Sequence, residues 1–395
     1  MSPRPSQDPT IGERIRARRL LRGWSIRYAA SRAGVSHATW SRIERGRQGA
    51  DNRFMLADIA GALECAPVDL AGTPVPAADR AAVAAHAAVH GVRQALVDVD
   101  LTEPAGERAV PPMTELTRVV ELADSLRQAC DYAGTARLLP DLLRNLHAAA
   151  AWRLLCHATF MASSVLRNLG YPADSWLGAE RCRDAAEAAG DPVLRGYAGY
   201  ARAGAATACG AYQRGLTLAG RAVDDLRPHA GLPGGTEVLG TLQLICAYAS
   251  RGLKKLDDSR QWLAEADGLA GRTGETTTMG LYFGPTNVGI WRIGVEVDGG
   301  DPGRAAETAR STNPAAIPAG FRQVFYYADT ARALARMRGR DREAVRFLLT
   351  AERLAPQHVH TSAMAQETTR MLLERSRRQA GGTELRGLGE RMQVA

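Results

Sequence analysis

Apolar positions in the first seventy residues recur every three or four places in short bursts, each opened by a hydroxyl and closed by glycine. Thr10-Ile11-Gly12-Glu13 has the form of a capping box, the threonine oxygen accepting from the Glu13 amide while the glutamate reaches back. A helix is predicted from Ile11 to Arg22, stopped by Gly23. Ser25 opens a second, Ile26 to Ala33, whose Ala29, Ala30 and Ala33 form a thin face for close contact. Gly34 supplies a tight turn, and Ser36 opens a third helix, His37 to Arg45, ended by Gly46. A fourth, Arg53 to Leu63, and a short fifth, Pro67 to Ala71, complete a compact all-α domain.

After Gly72-Thr73-Pro74-Val75-Pro76 the pattern lengthens. Residues 78–99 read as one alanine-rich helix, and EPAGERAVPP, Glu103 to Pro112, is a proline-rich break. The expected division is a domain over 10–72, a linker with one helix over 73–112, and a second domain over 113–395. That last region is helical throughout, without strand-like alternation. Glycines close alanine-rich helices at Gly134, Gly170, Gly210, Gly252, Gly299 and Gly339, at intervals of 36 to 47 residues. Such periods mean stacked helical hairpins that bury their apolar faces only against neighbours.

The third helix has two unlike sides. Val35, Trp40 and Ile43 point inward, while His37, Ala38, Ser41, Arg42 and Arg45 take the other side. Small residues let a helix approach a surface closely, and arginine and histidine donate to base acceptors or phosphates. Helix, glycine turn and helix with these properties describe a helix-turn-helix whose second member enters the major groove of DNA. Charge agrees with this. The chain carries +8, and residues 1–72 hold twelve arginines against seven acids, so the small domain has +5 of it. Forty-eight of the fifty basic residues are arginine, which a GC-rich codon bias explains.

GWSIRYAASRAGVSHATWSRIERGR resembles the phage-repressor (Cro-like, or XRE) helix-turn-helix family over residues 11–71. The resemblance implies that His37, Ala38, Ser41 and Arg42 face bases. It implies phosphate contacts for Ser25, Arg27, Thr39 and Arg47, and Ser36 joins the DNA-binding set at the cap. Glu44 would pair with Arg19 of the first helix as a structural brace. Ile26 departs from a common phosphate-binding glutamine, and Arg18 from a common leucine. Tyr327 to Pro356, YADTARALARMRGRDREAVRFLLTAERLAP, resembles a tetratricopeptide repeat, although the usual tryptophan-leucine-glycine-tyrosine set is not intact.

A tetratricopeptide-like array implies a right-handed superhelix in which the first helix of each pair lines a concave groove. Asn287 and Trp291 are one turn apart, and Phe283 extends the face. Asparagine can hold a peptide backbone and the aromatics supply apolar area. Arg322 and Tyr326, with Phe325 and Tyr327, are expected to face them from the next pair. The candidate effector site is therefore Phe283, Asn287, Trp291, Arg322 and Tyr326.

Other chemistry is sparse. Six cysteines lie far apart without a CxxC pair, which fits reduced core residues. His86 and His90 are one turn apart but lack a third ligand, and His358-Val359-His360 reads as a loop pair. GRTGETTT, Gly271 to Thr278, lacks the lysine of a phosphate loop. No HExxH, GxSxG or strand-borne GxGxxG occurs, so no catalysis, metal or cofactor is expected. No apolar run is long enough to span a bilayer and the amino terminus has no apolar signal core, so a cytoplasmic protein is expected. The whole resembles regulators that join an XRE-type domain to a tetratricopeptide-like sensor, as in the peptide-pheromone regulators of Gram-positive bacteria. That implies a homodimeric regulator binding double-stranded DNA and a small-molecule or peptide effector. The alternative is a DNA-binding adaptor whose repeat domain docks a partner protein.

Overall fold

The computed structural model describes residues 9–72, 80–103, 108–376 and 382–394. Every regular element among the described residues is helical. The N-terminal domain holds α1 (Ile11–Leu21), α2 (Ile26–Arg32), α3 (His37–Glu44), α4 (Arg53–Ala62) and α5 (Pro67–Ala71). The expected caps are formed. Thr10 Oγ1 accepts from the Glu13 amide at 3.2 Å, and Glu13 returns an acceptor to the Thr10 amide at 2.8 Å. Ser25 and Ser36 accept from the amides of Tyr28 and Thr39 at 3.2 and 3.0 Å. Ile11, Ile15, Ala29, Ala30, Trp40, Ile43, Ile59 and Leu63 meet in one core.

The rest of the chain is a stack of helical hairpins. In order come α6 (Arg80–Asp98), α7 (Met113–Gln128), α8 (Tyr132–Ala148), α9 (Trp152–Asn168), α10 (Pro172–Ala189), α11 (Pro192–Ala208) and α12 (Tyr212–Leu226). They continue as α13 (Gly235–Gly252), α14 (Leu256–Thr273), α15 (Pro285–Asp298), α16 (Pro302–Ser311), α17 (Gly320–Ala335) and α18 (Asp341–Leu354). Three further helices, α19 (Pro356–Thr361), α20 (Ala363–Ser376) and α21 (Thr383–Arg391), close the array.

Two boundaries differ from expectation. The helix assigned to a linker, α6, lies along α8, and its Val89, Val92 and Leu96 share a core with Leu139, Leu142 and Leu146. It belongs to the second domain. Residues 73–79 and 104–107 of that linker lie outside the described residues. His358 and His360, expected in a loop, sit in the short helix α19 with both rings buried.

The hairpin turns are only partly those the glycines suggested. Gly170, Gly210 and Gly339 do adopt left-handed φ, but Gly134 lies inside α8, Gly252 ends α13, and Gly299 caps α15 with ordinary helical φ. Cys130, Lys254 and Gly300 take the left-handed position instead, giving turns 39 to 46 residues apart. One bonding scheme recurs. The left-handed residue donates to the carbonyl three back and its successor to the carbonyl five back, as at Gly170 to Arg167 (3.1 Å) and Tyr171 to Leu166 (2.9 Å). Gly252 serves close approach rather than turning, since a Cβ there would lie 2.8 Å from the Tyr212 ring and 3.1 Å from Phe54.

The stack curls until its last helices reach its first. Tyr132 at the start of α8 shares a hydrogen bond with His358 Nδ1 at 2.7 Å, and the Ala133 amide donates to Gln357 Oε1 at 3.1 Å. The Gln357 amide returns a bond to Asp131 at 3.1 Å, and the Tyr282 hydroxyl donates to Gln128. The concave side is therefore a ring rather than an open groove.

Candidate DNA-facing helix and internal cavity

Trp40 anchors α3 from behind. It is fully buried, and its Nε1 donates to Glu44 Oε1 at 2.6 Å. Glu44 also receives Arg19 in a bidentate pair at 2.6 and 2.8 Å, the brace expected between α1 and α3. These buried bonds fix the rotation of an eight-residue helix that could not hold itself. Burial opposes the charge on Arg19, but Glu44 outweighs it and raises the guanidinium pKa.

On the outer side Ser25, Arg27, Ser36, His37, Ala38, Arg42 and Arg47 are exposed. Arg42 Nε donates to Gln48 at 3.0 Å, which holds the side chain along the helix edge. Thr39 is half-buried, its hydroxyl tied to Ser36 at 2.9 Å. Ser41 does not take the base-facing place expected for it. It is buried beside Trp40, and Arg45 folds back over it, with Nη2 donating to Ser41 Oγ at 2.7 Å and Nε to its carbonyl at 3.0 Å. Arg45 is exposed where Ser41 is not.

The other side of this domain is seated on the ring. Asn52 caps α4 and also donates to the Asp298 carbonyl at 2.8 Å. The Arg53 amide donates to Asp298 Oδ1 at 3.1 Å, and its guanidinium reaches Asp298 at 2.8 Å and Asp329 at 3.3 Å. Arg332 pairs with Asp298 and with Asp329, and its Nε donates to the Asp51 carbonyl at 3.1 Å. Arg336 meets the Asp51 carboxylate at 2.9 Å, and Thr368 donates to it at 3.2 Å. Burial alone would raise the Asp298 pKa, but Arg332 and Arg53 hold it far below the usual carboxylate range. Around this network Phe54 stacks edge-on against Tyr212, 5.3 Å between centroids, and Met364 of α20 enters the N-terminal core.

Between the domain and the ring lies a cavity of about 370 Å³. Its floor comes from the first helices of successive hairpins, through Arg127, Phe160, Arg167, Tyr200, Tyr248, Trp291 and Arg322. Its lid comes from the N-terminal domain, through Arg53, Leu56 and Ala57 of α4 and Pro67, Val68 and Ala71 of α5.

Two of the five residues expected to bind an effector, Trp291 and Arg322, line this cavity. The other three do not. Phe283 is fully buried under α13, where a Cβ at Gly240 would lie 2.0 Å from its ring. Asn287 is fully buried too, and its Nδ2 donates to the Leu281 carbonyl at 3.1 Å, holding the loop before α15. Tyr326 is turned into the α16–α17 contact, its hydroxyl donating to the Ala309 carbonyl at 2.9 Å. Sharing a helix face with Trp291 was sound geometry for Asn287, but that face spans both the cavity and the inter-hairpin contact.

Sequence reasoning missed Arg127, Arg167, Tyr200 and His358, all of which line the cavity. A signal existed. Arg127, Arg167, Arg251 and Arg336 each lie three residues before a left-handed turn residue, and Phe160 and Tyr200 each lie ten before theirs. No group of His, Cys, Asp and Glu suited to a metal occurs among the described residues, and none of their helices is long and apolar enough to cross a membrane.

Residues 10–71 match a family model described as a helix-turn-helix domain. Comparison with curated proteins and with solved structures returned no match. The N-terminal domain is a helix-turn-helix domain, and it supports a DNA-binding regulator.

Proposed function

We propose that the chain is a sequence-specific transcriptional regulator without catalytic activity of its own, acting in the cytoplasm as a homodimer. Its α3 reads the major groove through His37, Ala38 and Arg42, with Ser25, Arg27, Ser36, Thr39 and Arg47 on phosphates. Its tetratricopeptide-like ring senses an effector in the cavity. The observation that carries this reading is that one cavity is walled by both units: α4 and α5 on one side, the inner helices of the hairpins on the other. A ligand there touches the DNA-binding domain directly, so its binding energy differs between seated and displaced positions of that domain. Two reading helices must sit about 34–36 Å apart to engage successive major grooves. A tilt of α4 on the ring shifts that spacing and hence operator affinity.

A cavity of about 370 Å³ lies at the small end of ligand sites and favours a small molecule over an extended peptide. The test has two steps. Purified chain is first used to select duplexes from random-sequence DNA, and failure to retain any duplex at low ionic strength would remove the regulator reading. Affinity for the selected site is then measured before and after stripping retained small molecules. Identical affinity in both states, when mass spectrometry shows a ligand was lost, would remove the sensor reading.

A further inference from the structure

Arg127, Arg167 and Arg322 reach the cavity from α7, α9 and α17. A buried guanidinium is normally held by carboxylates, because an unpaired charge in a low-dielectric interior is costly. Only Arg127 has one here: its Nε and Nη2 donate to Asp124 Oδ1 at 2.8 and 2.6 Å. Arg322 is 6 % exposed and makes no ion pair among the described residues, and its buried Nε has no hydrogen-bond partner. Arg167, which is half-buried, also has no ion pair among them. The remaining charged residues of the lining, Arg53 and Asp329, are joined to each other at 3.3 Å.

The consequences are visible in the neighbours. Tyr200 is buried, which alone would raise its pKa, yet Arg322, Arg167 and Arg127 together bring it below the usual phenol value. Burial lowers the Arg322 pKa; its hydrogen bond to the Tyr200 phenol opposes this, and Arg127 and Arg167 lower it further. The guanidinium planes are matched with flat rings: Arg322 lies over Phe321 at 4.7 Å and over Trp291 at 5.8 Å, and Arg127 over Phe321 at 5.0 Å.

We propose that the cavity binds a small organic oxyanion, a carboxylate or phosphate on a flat apolar body. The anionic group sits among Arg127, Arg167 and Arg322, and the body lies against Phe160, Trp291 and Phe325. Arginine suits this task because its planar fork meets two oxygens at once. The ligand class rests on the effector reading above only for its effect on DNA; the binding site stands on the Arg167 and Arg322 guanidinium groups, which have no carboxylate partner among the described residues.

The test uses the full chain and four probes: indole-3-acetate, 1-naphthyl phosphate, the neutral indole-3-acetamide, and inorganic phosphate. At least one of the two aromatic anions raises the melting temperature, and the neutral amide does not; which anion acts tells carboxylate from phosphate. A shift from the amide as large as from both anions, or no shift from either anion, overturns the inference. Equal shifts from inorganic phosphate and 1-naphthyl phosphate overturn the apolar-body part.

A second measurement needs no ligand. Arg322→Met removes a buried charge that has no carboxylate partner, so the ligand-free variant melts about 2 °C or more above the parent. Arg127→Met, which strands Asp124, melts below it. An Arg322→Met variant that melts lower than the parent overturns the inference. The two readings separate cleanly. Anion binding that leaves affinity for the selected duplex unchanged keeps this site and removes the effector reading. Operator affinity that responds only to a neutral ligand does the reverse.

Discussion

Two clusters of arginine share α17, which carries Arg322 of one and Arg332 of the other. In the seam that seats the DNA-binding domain, Arg53, Arg332 and Arg336 meet Asp51, Asp298 and Asp329 in interlocking pairs. In the cavity a few residues away, Arg127, Arg167 and Arg322 meet one carboxylate, Asp124. Each cluster has a buried member: Arg332 is 1 % exposed and Arg322 6 %. The residue type therefore says little by itself. On the anion-binding proposal, what separates the joint from the cavity is whether the chain supplies the counter-charge or leaves it to come from outside. Exposed Arg42 and Arg45, in and capping α3, make a third case: neither has an ion pair among the described residues, and on the function proposed above DNA is the anion they meet.

The seam should break hardest. Asp298→Asn leaves Arg53 and Arg332 short of their central partner, and the expected loss is about 3–5 kcal/mol of unfolding free energy, read from urea titration. A loss below about 1 kcal/mol would mean that the seam is no more committed than the cavity.

Next is a pH effect on the cavity side. Burial, reinforced by the positive charge of Arg53, lowers the His358 pKa from 6.5 to about 4. The unfolded chain takes up this proton near pH 6.5 and the folded chain only near pH 4. The contribution is thus intact above pH 6.5 and is lost as pH falls from 6.5 to 4, roughly 3 kcal/mol in all. His358→Gln flattens that part of the urea-midpoint profile. Glu352 acts in a different window: against its burial, Arg391 and His360 bring its pKa from 4.5 to about 2, so its share disappears only below pH 4.5.

Smaller effects follow on the surface. Arg42→Ala loses about 1–3 kcal/mol at the selected site and relaxes one base preference, while Arg47→Ala weakens all sequences alike and flattens the salt dependence. Identical behaviour of the two variants in competition assays would refute the division into reader and clamp. The smallest change is at the rim of the seam, where Lys254 pairs with Asp58 at 3.1 Å in the open. Lys254→Ala costs about 0.5 kcal/mol or less. A larger cost there would show that the rim, not only the buried network, holds the domain.

The helix-turn-helix was legible because its signals are local. Caps at Thr10, Ser25 and Ser36 and the glycines after them place the helix ends within a residue or two, and α5 spans Pro67–Ala71 as its proline suggested. The hairpins were legible as a period but not turn by turn, because Cys130 and Lys254 accept a left-handed conformation that glycine usually fills. The cavity was the least legible part. Its arginines lie on helices separated by tens to hundreds of residues, and which side of each helix faces inward depends on the ring closing. The excess charge in residues 1–72 pointed to an anionic partner there. The remaining 323 residues spread a net charge of only +3 over their length, which conceals three cations gathered at one place.

The partners of residues 50–52 lie 246 to 317 positions downstream. During synthesis the DNA-binding domain therefore folds long before its seat exists, and it waits untethered at the end of a growing array. Any shortened product that lacks α17 and α20 would carry the reading helix with nothing to restrain it.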